Sequence, residues 1–145
     1  MIKSVRSEYD EESRITYCYI TDEKERMYIG IAMCHEDDID MLSWRTGDEI
    51  AYRRARMDYL RGQRETELKP RLAALKQLYY SMKHSSNFNP KSYENHMLQR
   101  QIRLLEFDLA TIKEELANSR KNLKDYINGK DKIYKRIREQ NKGQE

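Results

Sequence analysis

The chain has 145 residues, of which 38% are hydrophobic and 37% charged, and its mean hydropathy is −1.05. This composition is too polar for a thick globular core, whereas five glycines and two prolines are too few for a disordered chain. No apolar run approaches the roughly 18 residues of a membrane-spanning helix, and the N-terminus lacks the apolar centre of a signal peptide. We therefore expect a cytoplasmic protein of long amphipathic helices that makes no membrane contact and has free cysteine thiols.

The net charge of +3 is unevenly distributed along the chain. Residues 1–49 contain 6 Lys/Arg and 13 Asp/Glu, which gives −7, and residues 50–145 contain 22 and 12, which gives +10. An acidic N-terminal part is thus joined to a basic remainder. Two explanations stay open: these charges solvate helix faces, or the basic surface meets a polyanion or an acidic protein.

Two β-strands are predicted near the N-terminus. The segment SRITYCYIT (13–21) is rich in β-branched and aromatic residues, and MYIGIAMC (27–34) has aliphatic side chains at every second position. The short polar connection between them predicts a β-hairpin in which Cys18 lies opposite Gly30. A glycine within the second strand indicates a close approach by another element. The alternating larger residues share one face: Met27, Ile29, Ile31 and Met33.

A cysteine, a histidine and four carboxylates follow in the segment MCHEDDID (33–40). A zinc site needs four converging ligands, whereas Cys34 and His35 are adjacent and would point to opposite faces of a strand. The carboxylates lack the glycine and glutamate positions of an EF-hand loop. We expect no bound metal, and a connector whose carboxylates lie near the N-terminus of the next helix.

Catalytic and cofactor-binding motifs do not occur in the sequence. It has no glycine-rich phosphate loop, no Ser/His/Asp set and no nucleophile motif. We therefore expect a non-enzymatic protein that carries no cofactor.

The first arm of a helical hairpin is predicted over residues 46–83. Thr46 and Glu49 have the spacing of a capping box, in which each side chain accepts a hydrogen bond from the other residue's backbone N–H. The helix is therefore expected to begin at Thr46.

Two breaks are predicted beyond this start. Gly62 and Pro70 lie inside the helical pattern and predict a bend or short break near residues 66–70. The segment HSSNFNP (84–90) then predicts a loop in which Asn89 caps the second helix and proline occupies its first position.

A heptad pattern runs along the second helix, predicted over residues 90–127. From Leu98 to Ile137, ten of the twelve positions at alternating steps of four and three are apolar, which is typical of a coiled-coil seam. Asn128–Gly129 predicts an early end to the helix, followed by a basic C-terminal tail. The seam residues that we single out are Leu98, Ile102, Leu105, Leu109, Ile112, Leu116 and Leu123.

A helix with one apolar seam needs a partner in water. The first helix, returned by a short loop, is the nearest one, so we expect a mainly α fold with a small β-hairpin (α+β). Residues 1–45 form the acidic hairpin and connector, docked on a long antiparallel helical hairpin of residues 46–145. The first helix has Arg54, Asp58 and Arg61 where its seam should be apolar. Part of the second seam is therefore uncovered, and we expect a homodimer to cover it.

Arginine and tyrosine are interleaved at the start of the first helix, in AYRRARMDYLRGQR (51–64). This pattern suits phosphate contact and stacking on bases or side chains. It also suits a helix surface whose long side chains cover neighbouring apolar area. The candidate contacts to a partner protein or a nucleic acid are Arg53, Arg54, Arg56, Tyr59, Arg61 and Arg64.

The stretch from residue 30 to residue 55 resembles a pattern of small accessory proteins encoded by phages and prophages of Gram-positive bacteria. A hairpin ends in G-x-A-x-C, an acidic connector follows, and G-x-x-I-A-x-x-R-A opens a helix. Glu36 stands where similar proteins often have a proline. The resemblance implies a mobile-element context, in which small non-enzymatic proteins, among them anti-CRISPR proteins, block host defence. The matching positions are Gly30, Ala32, Cys34, Asp37, Asp38, Gly47, Ile50, Ala51, Arg54 and Ala55.

Three functions follow from these features. The first is a phage-type binding protein that inhibits or remodels a host nucleic-acid-handling or defence complex, either a protein or a ribonucleoprotein, by protein–protein contact. The second is direct DNA or RNA binding through the arginine-rich helix start. The third is a structural coiled-coil component of a scaffold.

Overall fold

The structure, a computed structural model, describes residues 1–33 and 41–143. The expected fold class, mainly α with a small N-terminal β-hairpin (α+β), is confirmed, and a third strand extends the hairpin to a sheet. The chain divides into two compact units, unit 1 (Met1–Tyr59 and Ala117–Glu145) and unit 2 (Leu60–Leu116). The elements in chain order are β1 (Ile2–Asp10), β2 (Ile15–Asp22), β3 (Met27–Met33), α1 (Met41–Gln63), a π-helical segment (Arg64–Leu68), α2 (Lys69–Lys83) and α3 (Tyr93–Lys142).

The sheet is antiparallel with strand order β1-β2-β3. The predicted hairpin is confirmed as β2 and β3, including the pairing of Cys18 with Gly30. The sequence did not predict β1, because IKSVRSEYD is polar at most positions and lacks a clear apolar alternation. All nine of its residues are exposed.

The sheet buries only one of its two faces. Successive side chains on a strand point to opposite faces, and one face packs against α1 with Cys18, Ile20, Tyr28 and Ala32 in the core. The larger apolar residues of β3 lie on the other face, which we call the open face. Its residues on β2 and β3 are Ile15, Tyr17, Tyr19, Thr21, Met27, Ile29, Ile31 and Met33.

Small residues let the backbones of β3 and α1 approach each other at Gly30. A Cβ atom on Gly30 would lie 1.9 Å from the carbonyl oxygen of Ala51 and 2.3 Å from the backbone nitrogen of Ala55. Both alanines are fully buried. The close approach that the glycine predicted is therefore confirmed, and the approaching element is α1.

The predicted capping box at Thr46 and Glu49 is wrong, because α1 already begins at Met41. Thr46 lies inside the helix and is buried, and its hydroxyl hydrogen-bonds the Tyr134 hydroxyl of α3 at 2.8 Å. The side chain therefore connects two helices of unit 1 and does not cap one.

In each unit, α3 runs antiparallel to the helix beside it. In unit 1, α1 and α3 meet at Thr46 with Tyr134 and again at Arg53 with Tyr126. In unit 2, Lys76 of α2 pairs with Glu106 of α3 at 3.3 Å, and Gln99 donates a hydrogen bond to the Tyr79 hydroxyl at 3.2 Å. In each pair of helices, higher residue numbers on the first helix contact lower residue numbers on α3, as expected for a helical hairpin.

The sequence predicted a bend or short break near residues 66–70, but the helical path does not break there. A π-helical segment lies instead between α1 and α2. Pro70 has no backbone N–H and cannot donate the usual bond to the carbonyl of residue 66. Widened turns absorb this loss, and the Thr66 hydroxyl donates a hydrogen bond to the Gly62 carbonyl at 2.6 Å. The helical path therefore continues into α2, which has proline in its first turn.

Both ends of α3 differ from the prediction. The helix begins at Tyr93, capped by Ser92, whose Oγ accepts a hydrogen bond from the Asn95 backbone N–H. Asn89 instead accepts one from the Lys91 N–H and forms a turn before the helix. The expected end at Asn128–Gly129 is wrong, because α3 continues to Lys142. Contacts to α1 on both sides of the glycine hold the helix together there.

The seam residues of α3 are less exposed than their neighbours. Leu98, Leu105 and Leu116 are buried, whereas Leu104 and Phe107 lie on the exposed side. The remaining singled-out seam residues are half-buried: Ile102, Leu109, Ile112 and Leu123.

We expect Gly30→Ala and Gly129→Ala to change stability in opposite directions. The methyl group of an alanine at position 30 would collide with the backbone of α1, so the free energy of unfolding should fall by at least about 3 kcal/mol. Gly129 has open space around its Cβ position, and alanine there should raise it by about 0.5–1 kcal/mol. Urea unfolding of both variants measures this. Similar stability changes would contradict the close contact.

Adjacent leucines in α3 test the seam. Leu105 is 7% exposed and Leu104 is 54% exposed. Leu105→Ala should lower the free energy of unfolding by about 2–5 kcal/mol, whereas Leu104→Ala should change it by less than about 1 kcal/mol. Equal losses in thermal or chemical unfolding would show that Leu105 is not part of a packed seam.

Candidate functional site

The open face of the sheet exposes a group of apolar side chains. Its four β3 residues are each 44–73% exposed, and the neighbouring Tyr17 and Tyr19 are half-buried with near-parallel rings 6.3 Å apart. Arg6 of β1 lies over the Tyr19 ring at 5.1 Å. Contiguous apolar and aromatic residues on an exposed sheet are typical of a surface that binds another macromolecule. The four β3 residues are Met27, Ile29, Ile31 and Met33.

Polar side chains of α1 satisfy the outer edge of β3. The Asp58 carboxylate accepts a hydrogen bond from the Ile29 N–H at 3.4 Å, and the Arg54 guanidinium donates one to the Ile31 carbonyl at 2.7 Å. Four helical residues rise about 6.0 Å and two strand residues about 6.6 Å, so side chains four apart on α1 reach groups two apart on β3. Arg54 and Asp58 are polar because they occupy this strand edge.

Arg53 is another predicted contact residue with partners inside unit 1. Its guanidinium pairs with Glu49 at 2.8 Å and lies 5.0 Å from the centre of the Tyr126 ring. Burial raises the pKa of the Tyr126 hydroxyl, although a hydrogen bond with Thr46 opposes that shift. Arg53 therefore joins α1 to α3.

The other predicted contact residues differ in their exposure and in their partners. Arg64 pairs with Glu65 at 3.0 Å, Arg61 is half-buried, and Arg56 is exposed. Tyr59 packs its ring at 84° to that of Tyr28, with the centroids 5.4 Å apart. Burial, followed by the nearby negative charges of the β2–β3 turn, raises the pKa of the Tyr59 hydroxyl. Arg64 and Tyr59 therefore each have a partner within the protein.

A buried carboxylate organises the turn between β2 and β3. Asp22 accepts hydrogen bonds from the backbone N–H groups of Lys24 and Arg26, from the Arg26 guanidinium and from the Tyr28 hydroxyl, all at 2.9–3.0 Å. Burial raises the pKa of Asp22, but these hydrogen bonds outweigh it and hold the pKa below its usual value. The sequence offered one signal for this network, an aspartate at the start of a tight turn.

Metal-ligating side chains, cysteine thiols and helix hydropathy are three further features of the structure. Within residues 1–33 and 41–143, no three His, Cys, Asp or Glu side chains are close enough to hold a metal ion. The predicted connector residues Cys34 and His35 lie outside these ranges. Cys18 is a free thiol buried in the core, and burial raises its pKa. None of the helices in the described ranges is long and apolar enough to cross a bilayer.

A groove of about 250 Å³ lies between α1 and α3 of unit 1. Met57, Leu123 and Ile127 form its apolar part, with Arg120 and Lys124 beside them. Leu123 is the one predicted seam residue in this groove. The groove is small compared with the open face of the sheet, and no buried polar group points to a particular ligand.

Comparison with protein-family models, with curated proteins and with solved structures gives no match to this chain.

We expect the Asp22 network to stabilise the fold in a pH-dependent way. Because the folded-state pKa is lowered, its contribution is complete above the unfolded value of about 3.9 and is lost as pH falls through the folded value. Asp22→Asn should lower the melting temperature most at neutral pH, and the difference from wild type should shrink on acidification. The exposed Asp108→Asn is the control. A pH-independent difference for Asp22→Asn would contradict the prediction.

Proposed function

We propose that this protein is a non-enzymatic binding protein that inhibits or remodels a host nucleic-acid-handling or defence complex by protein–protein contact. The open face of the sheet is its docking surface. The partner presents a basic surface with apolar side chains among its cations, such as a protein uses to hold nucleic acid. The observation that carries the proposal is the exposure of the apolar β3 side chains.

The chemistry of the open face supports a protein partner. Burying apolar area releases about 25 cal/mol per Å², and tyrosine is enriched at protein interfaces because its ring is apolar and its hydroxyl polar. Tyr17 is paired with Ile31, and Tyr19 with Ile29, on adjacent strands. Such a surface gains little from a phosphate backbone, which is recognised mainly by cations.

The charge around the open face supports a basic partner. The segment 10–14 at one end of the β-sheet has three carboxylates and Arg14, which gives −2. The segment 22–26 at the other end has three carboxylates with Lys24 and Arg26, which gives −1. Opposite charge around an apolar centre accelerates association and selects partners. An acidic protein surface that covers a basic one also competes with nucleic acid for it.

The resemblance to phage accessory proteins supports the host context. Several of its positions have structural roles here: Gly30, Ala32, Ala51 and Ala55 lie at the contact between β3 and α1, and Arg54 bonds the strand edge. The residues of this pattern therefore stabilise the fold. In this proposal, the residues of the open face determine which partner is bound.

Direct nucleic-acid binding remains the second candidate and is less well supported. Arg53, Arg54 and Arg64 already pair with groups inside the protein. A phosphate contact by any of them would first break an existing ion pair or hydrogen bond. Arg54 and Arg56 are the exposed arginines of the set, and one or two cations contribute little to binding at physiological salt.

The test compares two double variants that are matched in residue type and exposure. Ile29→Thr/Ile31→Thr alters the open face while keeping β-branched residues in the strand. Ile133→Thr/Ile137→Thr alters exposed positions of α3, where Ile133 is 45% exposed, like Ile29. Nuclease-treated lysate of a Gram-positive host is passed over each immobilised protein. We expect wild type and the α3 variant to retain the same nucleic-acid-binding or defence protein, and the open-face variant to lose it by at least about tenfold.

The purified partner then completes the test. Wild-type protein should reduce its binding to its own nucleic acid, and the open-face variant should not. Equal capture by both double variants would contradict the role of the open face. Binding of naked DNA by the protein itself, with an affinity that falls steeply with salt, would favour the arginine-based alternative.

A further inference from the structure

The outer edge of β1 differs from the outer edge of β3. Arg54 and Asp58 hydrogen-bond the β3 edge, whereas β1 is exposed along all nine residues. A long exposed edge presents backbone N–H and C=O groups to which another strand can pair. Proteins usually cover or shorten such an edge, so the nine-residue β1 needs a physical explanation.

The known hydrogen bonds show which groups lie on each edge of the sheet. In an antiparallel sheet, the N–H and C=O of one residue point to the same side, and successive residues alternate. The bonds from Ile29 and Ile31 to α1 show that odd-numbered residues of β3 point away from β2. Tyr28 and Gly30 therefore point toward β2.

The same alternation carries across the sheet to β1. Cys18 pairs with Gly30 and points toward β3, so its neighbours Tyr17 and Tyr19 point toward β1. Their partners there are Glu8 and Arg6, which point back toward β2. The intervening residues of β1 consequently direct their N–H and C=O groups outward at the free edge: Val5, Ser7 and Tyr9.

The sequence of β1 is complementary to itself about Ser7. When two copies pair antiparallel with Ser7 opposite Ser7, Arg6 of each lies opposite Glu8 of the other, and Val5 lies opposite Tyr9. Opposite charges and an aliphatic–aromatic pair are favourable cross-strand neighbours. Shifting one strand by two residues in either direction places Arg6 against Arg6 or Glu8 against Glu8, which is unfavourable.

We infer that β1 is the dimerisation strand of this protein. Its outer edge pairs with β1 of a second copy, antiparallel about Ser7. The odd-numbered pairs then exchange backbone hydrogen bonds. The two-fold symmetry closes the assembly at a dimer, because the opposite edge of each sheet is already bonded by α1. Directly opposite residues share a face, so the open faces of both copies lie on one side of the joined sheet. The inference does not depend on the proposed partner.

A proline substitution tests the edge pairing. Ser7→Pro removes an N–H that points outward, so the bonds from β1 to β2 remain, while pairing with a second copy loses a central bond. Sedimentation velocity over a concentration series should find wild type and the matched Ser7→Ala as dimers and Ser7→Pro as a monomer. Unchanged circular dichroism would show that Ser7→Pro is folded.

Charge reversal tests the register. In a dimer of Arg6→Glu, both charged pairs would set two carboxylates against each other, and in a dimer of Glu8→Arg both would set two guanidinium groups against each other. Each variant alone should therefore dimerise at least about tenfold more weakly than wild type. In a heterodimer of the two variants, both cross-strand pairs join a carboxylate to a guanidinium group, whereas each homodimer has two like-charge pairs. A heterodimer should therefore form on mixing.

Four outcomes would overturn the inference. Three are a wild-type monomer throughout, a dimer insensitive to Ser7→Pro, and a mixture of the charge variants no tighter than its components. The fourth is a dimer lost in Leu109→Ala but retained in Ser7→Pro, which would assign the interface to the helical seam.

Discussion

The architecture of unit 1 depends on the contact between the backbones of β3 and α1 at Gly30. No side chain fits between this strand position and the carbonyl of Ala51, so glycine on the strand and alanines on the helix are needed together. This distance brings the helix near enough for Arg54 and Asp58 to bond the strand edge. One steric constraint therefore explains the small residues in the core and the polar residues on the adjoining helix surface.

The same contact determines which face of the sheet is available for binding. On the helix side β3 places Tyr28, Gly30 and Ala32, so the isoleucines and methionines of that strand lie on the opposite face. Here the free energy of burying those residues remains available for association with a partner. The alternation of a single strand thus determines both the packing on α1 and the exposure of the proposed docking surface.

The arginines of α1 show how a sequence pattern can combine several unrelated roles. Interleaved arginine and tyrosine resemble a nucleic-acid-binding helix, yet Arg53 stacks on Tyr126 and Arg54 bonds Ile31. Each role depends on a partner more than twenty residues away in the chain. A guanidinium group binds carboxylates, carbonyls and aromatic rings as readily as phosphates, so composition alone does not distinguish these functions.

The sequence by itself determined the elements whose signals are local or periodic. It predicted the β2–β3 hairpin and its register and the mainly α fold, since strand alternation and heptad spacing are properties of neighbouring residues. Only the tertiary structure revealed β1, whose polar sequence becomes a strand by pairing with β2. It also decided that Thr46 bonds Tyr134 and that α3 continues past Gly129. Only the structure shows that the isoleucines and methionines of β3 are exposed. These outcomes depend on contacts between distant residues and on the distance between backbones, which no local pattern encodes.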